Sequence, residues 1–124
     1  SQLNIMGLVA AEAAYTHGEE WYQAMYQYVK ENIVYTKQFV EERIPGVQLS
    51  PHEGTYLLWL DCSGLQLSAE ELEDLIIKKA KLWLDSANIF GEAGRGFQRI
   101  NVACPRKILT EALERLEKAV KESV

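Results

Sequence analysis

Between Glu19 and Ile44 the chain reads EEWYQAMYQYVKENIVYTKQFVEERI, one unbroken helical stretch that Pro45-Gly46 brings to a stop. Proline cannot continue a helix and pushes the residue before it toward extended geometry. The stretch is longer than the usual helix of about ten to fourteen residues, and its apolar residues form two rows. Tyr22, Tyr26, Ile33, Val40 and Ile44 make one, with Val29 between Tyr26 and Ile33; Trp21, Met25, Tyr28, Tyr35 and Phe39 make the other. A surface helix of a single domain shows one stripe, so two rows call for cover on more than one side. Two architectures answer that need: a central core helix of a small domain, or a helix bridging two domains. The a and d positions are not held by Leu or Ile, which argues against a coiled coil.

The rest of the chain must fit around this helix. With 124 residues, 48% hydrophobic and 25% charged, it suits one globular domain that buries about two-thirds of its unfolded surface. No apolar run approaches a membrane span and the amino terminus lacks a basic-then-apolar signal, so a cytoplasmic protein without a membrane partner is expected. Net charge is −5, with 13 basic residues scattered among 18 acids, a balance that argues against nucleic acid as a partner. Cys62 and Cys104 show neither CxxC spacing nor a histidine-containing motif. They read as two buried thiols in a reducing compartment, and no metal site is expected.

Leu3 to Thr16 is helical by composition, with an apolar row at Ile5, Leu8, Val9, Ala11 and Tyr15 and small residues suited to close packing against a further element. Its abrupt start hints at a portion upstream. After Pro45-Gly46, Val47–Leu49 is a short strand, Ser50–Gly54 a turn, and Thr55–Asp61 a strand apolar enough to be covered on both faces. Ser68 with Glu71 forms a capping box and Leu67 with Leu72 a hydrophobic staple, so a helix starts there and runs to about Lys81. Leu82–Leu84 reads as a third strand and Phe97–Ala103 as a fourth. Pro105 falls in the first turn of the last helix. Ile108, Leu109, Ala112, Leu113, Leu116 and Val120 line its buried face, and Glu111–Arg115, Glu114–Lys118 and Glu117–Lys121 pair on its solvent side. The expected fold is α/β, more closely an α+β-like small domain: about four short strands in a small sheet, helices mainly on one face, and a long interdomain-type helix ahead of them.

Catalytic patterns are sparse. There is no GxSxG elbow, and His17 and His52 sit in turn-like segments as solvated residues. Glu41-Glu42 and Glu70-Glu71 occupy helix starts or solvated faces. The Gly91–Gly96 loop resembles a phosphate cradle only in its glycines, because it leads into a strand and not into a helix N-terminus. Arg99 is the candidate that remains. Alternation along its strand sends Gln98, Ile100 and Val102 to the core and Phe97, Arg99, Asn101 and Ala103 to the opposite face. There Arg99 either meets solvent or Glu92, or serves as a forked clamp for a carboxylate.

The segment NIFGEAGRGFQRINVACPR, Asn88 to Arg106, resembles the carboxy-terminal signature of the class I/II aminotransferases, in particular the MalY/PatB cystathionine β-lyase-like group of fold type I pyridoxal-phosphate (PLP) enzymes. GLVAAEAAYTHGEEW (Gly7–Trp21) and EGTYLLWLDCSGL (Glu53–Leu65) resemble the same group in the same order. The resemblance implies that residues 1–18 end a large PLP-binding domain and residues 19–124 form the small carboxy-terminal domain. It implies that Arg99 binds the α-carboxylate of an amino-acid substrate, that the reaction is β-elimination from a cysteine thioether or transamination, and that the complete enzyme is a homodimer. The cofactor lysine, the aspartate facing the pyridine nitrogen and the phosphate-binding residues would lie in the large domain. The lysines here, Lys30, Lys37, Lys78, Lys79, Lys81, Lys107, Lys118 and Lys121, match no cofactor motif, so PLP belongs to the full-length enzyme and this chain alone is expected to bind none and to be inactive. The competing expectations are a stand-alone small-ligand-binding or regulatory α/β module and a homo-oligomeric scaffold using the Trp21/Tyr28/Tyr35 surface.

Overall fold

The computed structural model describes residues 4–123; Leu3, the expected first helical residue, lies outside them. Asn4 caps α1 (Ile5–His17) by accepting the Gly7 N–H at 2.7 Å. None of the α1 residues is buried. After Gly18 the chain continues into α2 (Glu19–Arg43), whose buried residues are Asn32, Thr36, Phe39 and Val40, all in its second half. The two apolar rows thus receive cover only where the helix meets the sheet domain. Further forward Trp21, Tyr22, Tyr26 and Tyr28 are exposed.

Four strands follow: β1 (Gln48–Leu49), β2 (Leu57–Asp61), β3 (Asp85–Ser86) and β4 (Phe97–Asn101). They form one antiparallel sheet in the order β1-β2-β4-β3, with the long β2–β4 pair at its centre and two-residue strands at its edges. Short edges leave little unpaired backbone for stray association. Leu58 and Leu60 of β2, Gln98 and Ile100 of β4, and Val102 just beyond point to the same side and are buried. Against them pack Val40 of α2, Leu72, Leu75 and Ile76 of the α3 segment, and Leu109, Leu113, Leu116 and Val120 of α4 (Arg106–Lys121). The helices cover one face of a small sheet, as the sequence led us to expect.

Several local expectations need correction. β2 is covered on one face only: Leu58 and Leu60 are buried while Leu57, Trp59 and Asp61 are half-buried, because no second helical layer lies over the Arg99 side among the described residues. The third strand is not Leu82–Leu84 but Asp85–Ser86. The chain from Ala80 to Leu84 is irregular, with Lys81 at φ 56°, and pairing resumes only where Asp85 comes opposite Arg99. Pro105 is the cap residue of α4 and not its first helical residue. Ile108 is exposed, whereas Ala119 and the presumed surface acid Glu117 are buried. Glu117 is turned inward by two cations, accepting from Arg43 Nη2 at 2.5 Å and Lys121 Nζ at 2.6 Å. Lys118 pairs with Glu122 at 3.8 Å rather than with Glu114.

Two local devices fix the connections. The capping box is present: Ser68 Oγ accepts the Glu71 N–H at 3.3 Å and a Glu71 carboxylate oxygen accepts the Ser68 N–H at 2.8 Å. That helix, α3 (Ala69–Asp74), does not run on as an ordinary helix. It passes into a π turn over Leu75–Lys79, closed by Ala80 N–H donating to Leu75 C=O at 2.8 Å. Elsewhere, the turn after α2 packs on the turn after β2. A Cβ on Gly64 would meet the Gly46 carbonyl at 2.7 Å, and Gly46 itself has φ +84°, so only glycine fits this crossing.

Candidate functional site

Arg99 is the third residue of the five-residue strand β4, held between both neighbours. Trp59 is its register partner on β2 and Asp85 its register partner on β3. Since directly opposed residues share a face, these three side chains form a row across the sheet, on the side away from the helices. The Arg99 side chain is 27% exposed, shielded but within reach of solvent. Its Nε and Nη2 both donate to Asp85 Oδ2, at 3.1 and 2.7 Å. Phe90 lies over the guanidinium, 4.9 Å from centroid to Cζ. Trp59 in turn meets Phe90 edge-on at 5.2 Å and Phe97 at 6.5 Å. A planar cation over an aromatic face is attracted by the ring quadrupole, so the arginine is held at one edge by a carboxylate and on one face by a ring.

The expected pairing of Arg99 with Glu92 is not what forms. Glu92 lies 3.4 Å from Arg95 on the glycine loop, both of them well exposed. This loop makes two short 3-10 turns, Ala87–Phe90 and Glu92–Gly94, and enters β4 through Gly96. Gly96 has φ +83°, and its carbonyl accepts the Cys62 N–H at 2.8 Å, tying the loop exit to the end of β2. The loop leads into a strand, and Gly91, Glu92, Arg95 and Gly96 line a cavity of about 780 Å³ together with Leu67, Ser68 and Ala69 at the start of α3. A cavity of about 370 Å³ runs from Asp85 and Arg99 past Asn101 to Cys104 and Ile108.

The far end of β4 is anchored by a polar knot in the core. Asn32 of α2, fully buried, donates through Nδ2 to the Val102 and Cys104 carbonyls at 2.8 and 2.9 Å. Its Oδ1 accepts from Arg106 Nε at 2.6 Å. Arg106 lies over the Tyr35 ring at 4.6 Å, and its backbone N–H donates to Tyr28 Oη at 2.6 Å. The long helix is therefore bonded to the turn that follows the Arg99 strand. Among the described residues no buried side-chain nitrogen or oxygen lacks a hydrogen-bond partner, the condition for a buried polar network to stabilise.

Other reactive groups stay apart from this row. Burial, with the neighbouring Asp61 charge, pushes the Cys62 thiol up to about 12, and burial raises Cys104 as well; neither is poised as a thiolate. His17 ends α1 in the open, and His52 lies 3.1 Å from the Thr55 carbonyl. Among the described residues no cluster of His, Cys, Asp and Glu is placed to hold a metal. As to a cofactor amine, Lys37, Lys78, Lys118 and Lys121 pair with acids four residues away on helical surfaces, Lys79 donates to Ser123, and Lys30 sits over Tyr26. None of these joins the Arg99 row.

Sequence reasoning put Arg99 on the face of the sheet that it occupies but missed its neighbours Asp85 and Phe90 and the Asn32–Arg106 knot. Asn32 could have been noticed as a polar residue set among apolar neighbours on a helix read as doubly covered. Asp85 gave a weaker signal, an acid directly after the apolar Leu82–Leu84 run.

Comparison with known proteins follows the same lines. No protein-family profile matches the chain. It is 33% identical over 118 residues to cystathionine β-lyase PatB of Bacillus subtilis, covering 95% of this chain and 30% of PatB. It is 31% identical over 121 residues to protein MalY of Escherichia coli, covering 98% of this chain and 31% of MalY. Among solved structures, it superposes on cystalysin of Treponema denticola, which contains a pyridoxal 5'-phosphate cofactor, with a TM-score of 0.92 and 35% identity over 98% of this chain and 31% of cystalysin. The chain thus spans about a third of the length of these relatives.

Proposed function

Because this chain belongs with the MalY/PatB cystathionine β-lyase-like group of class I/II aminotransferases, as their small carboxy-terminal domain, we propose that it serves a PLP-dependent C–S lyase or aminotransferase by binding the α-carboxylate of the amino-acid substrate through Arg99. One observation carries the reading: Arg99 stands on the helix-free face of the sheet, held by Asp85 and Phe90, with the outer edge of its guanidinium unbonded among the described residues. The relatives' names favour β-elimination from a cysteine thioether such as cystathionine, with transamination as the alternative within the same fold.

Among the described residues no lysine is bonded to Arg99 or Asp85, so this row offers the cofactor no amine. PLP would be held by a large domain of the same polypeptide, and its chemistry is to draw electrons from the substrate's α-carbon. What this chain adds is placement. A forked arginine donates to both carboxylate oxygens at once and fixes the direction of the bond to the α-carbon. The aromatic wall of Trp59, Phe90 and Phe97 keeps the arginine from swinging away. We place the domain boundary near Gly18: α1 buries nothing here and carries Ile5, Met6, Leu8 and Val9 on its surface, as suits a helix packed within the large domain. On this reading residues 1–18 close the large domain, residues 19–124 form the small one, and the complete enzyme is a cytoplasmic homodimer.

In the full-length enzyme, Arg99→Lys is expected to lower kcat/KM by about ten- to a hundredfold, the worth of one charge-assisted bond and its geometry. The visible absorbance of the bound cofactor should stay as in the parent. An unchanged kcat/KM would refute the assignment. A stand-alone binding module has no observation in its favour, since the Arg99 face has no opposite wall among the described residues.

A further inference from the structure

We infer that Asp85 is the positioning residue of the Arg99 clamp: it occupies one edge of the guanidinium so that the other edge alone meets the substrate carboxylate. The inference rests on the reading of Arg99 given above. A guanidinium offers five N–H groups in a rigid plane, and two of its edges can hold a carboxylate with parallel bonds. Asp85 takes the edge formed by Nε and Nη2, at 3.1 and 2.7 Å. The remaining edge, formed by Nη1 and the second Nη2 hydrogen, has no hydrogen-bond partner among the described residues. Phe90 covers one face of the plane at 4.9 Å, and Trp59 is the register neighbour on the other strand. Few directions of approach are left to an anion.

Both bonds from Arg99 fall on the same oxygen, Asp85 Oδ2. One acceptor atom therefore suffices to hold the edge, and the second carboxylate oxygen adds charge without adding a bond to Arg99. That charge opposes the arriving carboxylate, but the Asp85 side chain is 46% exposed and water screens it. Orientation outweighs the repulsion. An amide, which keeps one acceptor oxygen and no charge, should substitute for Asp85, whereas a methyl group should not.

The test compares Asp85→Ala, Asp85→Asn and Arg99→Lys in the full-length holoenzyme, with L-cystathionine as substrate and thermal melting measured alongside. Asp85→Ala should raise KM about three- to tenfold with kcat within about twofold, while Asp85→Asn stays within about twofold of the parent in both. If Asp85→Ala does not give folded holoenzyme, Asp85→Ser, too short to reach the guanidinium, carries the same expectation. A KM unmoved by Asp85→Ala or Asp85→Ser while Arg99→Lys is impaired overturns this inference alone. So does an Asp85→Asn as impaired as Asp85→Ala, which would assign the effect to charge, or a loss of Tm with KM unchanged. An Arg99→Lys enzyme equal to the parent overturns the underlying reading instead.

Discussion

From Asn32 onward α2 is part of the core, with Asn32, Thr36, Phe39 and Val40 buried, whereas ahead of it Trp21, Tyr22, Tyr26 and Tyr28 stand exposed on an equally regular helix. The two halves have the same kind of sequence, aromatic and β-branched residues at helical spacing, but only the second half sends side chains into the core. Helical hydrogen bonds propagate at low cost from a turn already formed, so the buried half can template the exposed one, which is tied to the sheet domain by the Arg106 N–H bond to Tyr28 Oη. Regular backbone is thus no measure of packing. An apolar row left open on a well-formed helix is a candidate surface for another body, and the domain boundary proposed near Gly18 would supply one.

The contrast can be broken most directly by truncating one side chain on each side of it. Leu60→Ala, in the buried row of β2, should cost about 2–5 kcal/mol, lost transfer energy plus the cavity left behind. Val9→Ala on α1 should stay within about 0.5 kcal/mol in this chain. Urea unfolding followed by circular dichroism measures both, and comparable losses would mean that α1 is packed after all. A finer probe sits at the point where α2 changes character. Asn32→Ala deprives two carbonyls and the Arg106 guanidinium of their partner at once, and about 1–3 kcal/mol should be lost. Asn32→Ala at parental stability would show that the core does not need its polar knot.

The smallest expected effect concerns acid. Lys121 and then Arg43, against the opposing pull of burial, hold the Glu117 carboxyl below its ordinary value of 4.5. A carboxyl depressed in the folded state stabilises fully above its unfolded value and loses that contribution as pH falls through the folded one. Stability should therefore drop as pH is lowered below about 4.5, and Glu117→Gln should flatten that part of the profile. A mutant curve parallel to the parent's would remove Glu117 from the account.

What could be read from the sequence was local in origin. The Ser68–Glu71 box depends on four consecutive residues, and the Pro45-Gly46 stop on two. Arg99's face follows from alternation along one strand. The expectations that failed depended on distant partners. Leu82–Leu84 looked like a strand because it is apolar, but a strand exists only where a neighbour pairs with it, and β4 pairs with the polar Asp85-Ser86. Glu117 looked like a surface acid because its own helix offers Lys121, while the second cation that draws it inward, Arg43, lies far away on α2. The Arg99 clamp divides the same way. The arginine was visible, but the aspartate fourteen residues ahead of it was not, since nothing in the spacing says that an edge strand will fold back beside β4. Likeness to relatives in three ordered stretches is the ground for proposing the clamp where alternation alone left clamp and solvent open.

The π turn at Leu75–Lys79 has a consequence for how such a domain changes over time. A π turn holds one residue more than the α-helical turn it replaces, so a one-residue difference in length can be absorbed inside this helix. Losing a residue from the connection after the helix instead would deliver the chain to β4 one position late. Ser86, not Asp85, would then lie opposite Arg99, and in a sheet a slip of one residue turns a side chain to the other face. The helix can thus take up a length change that the connection after it cannot, because there the cost falls on a guanidinium that lies on another element.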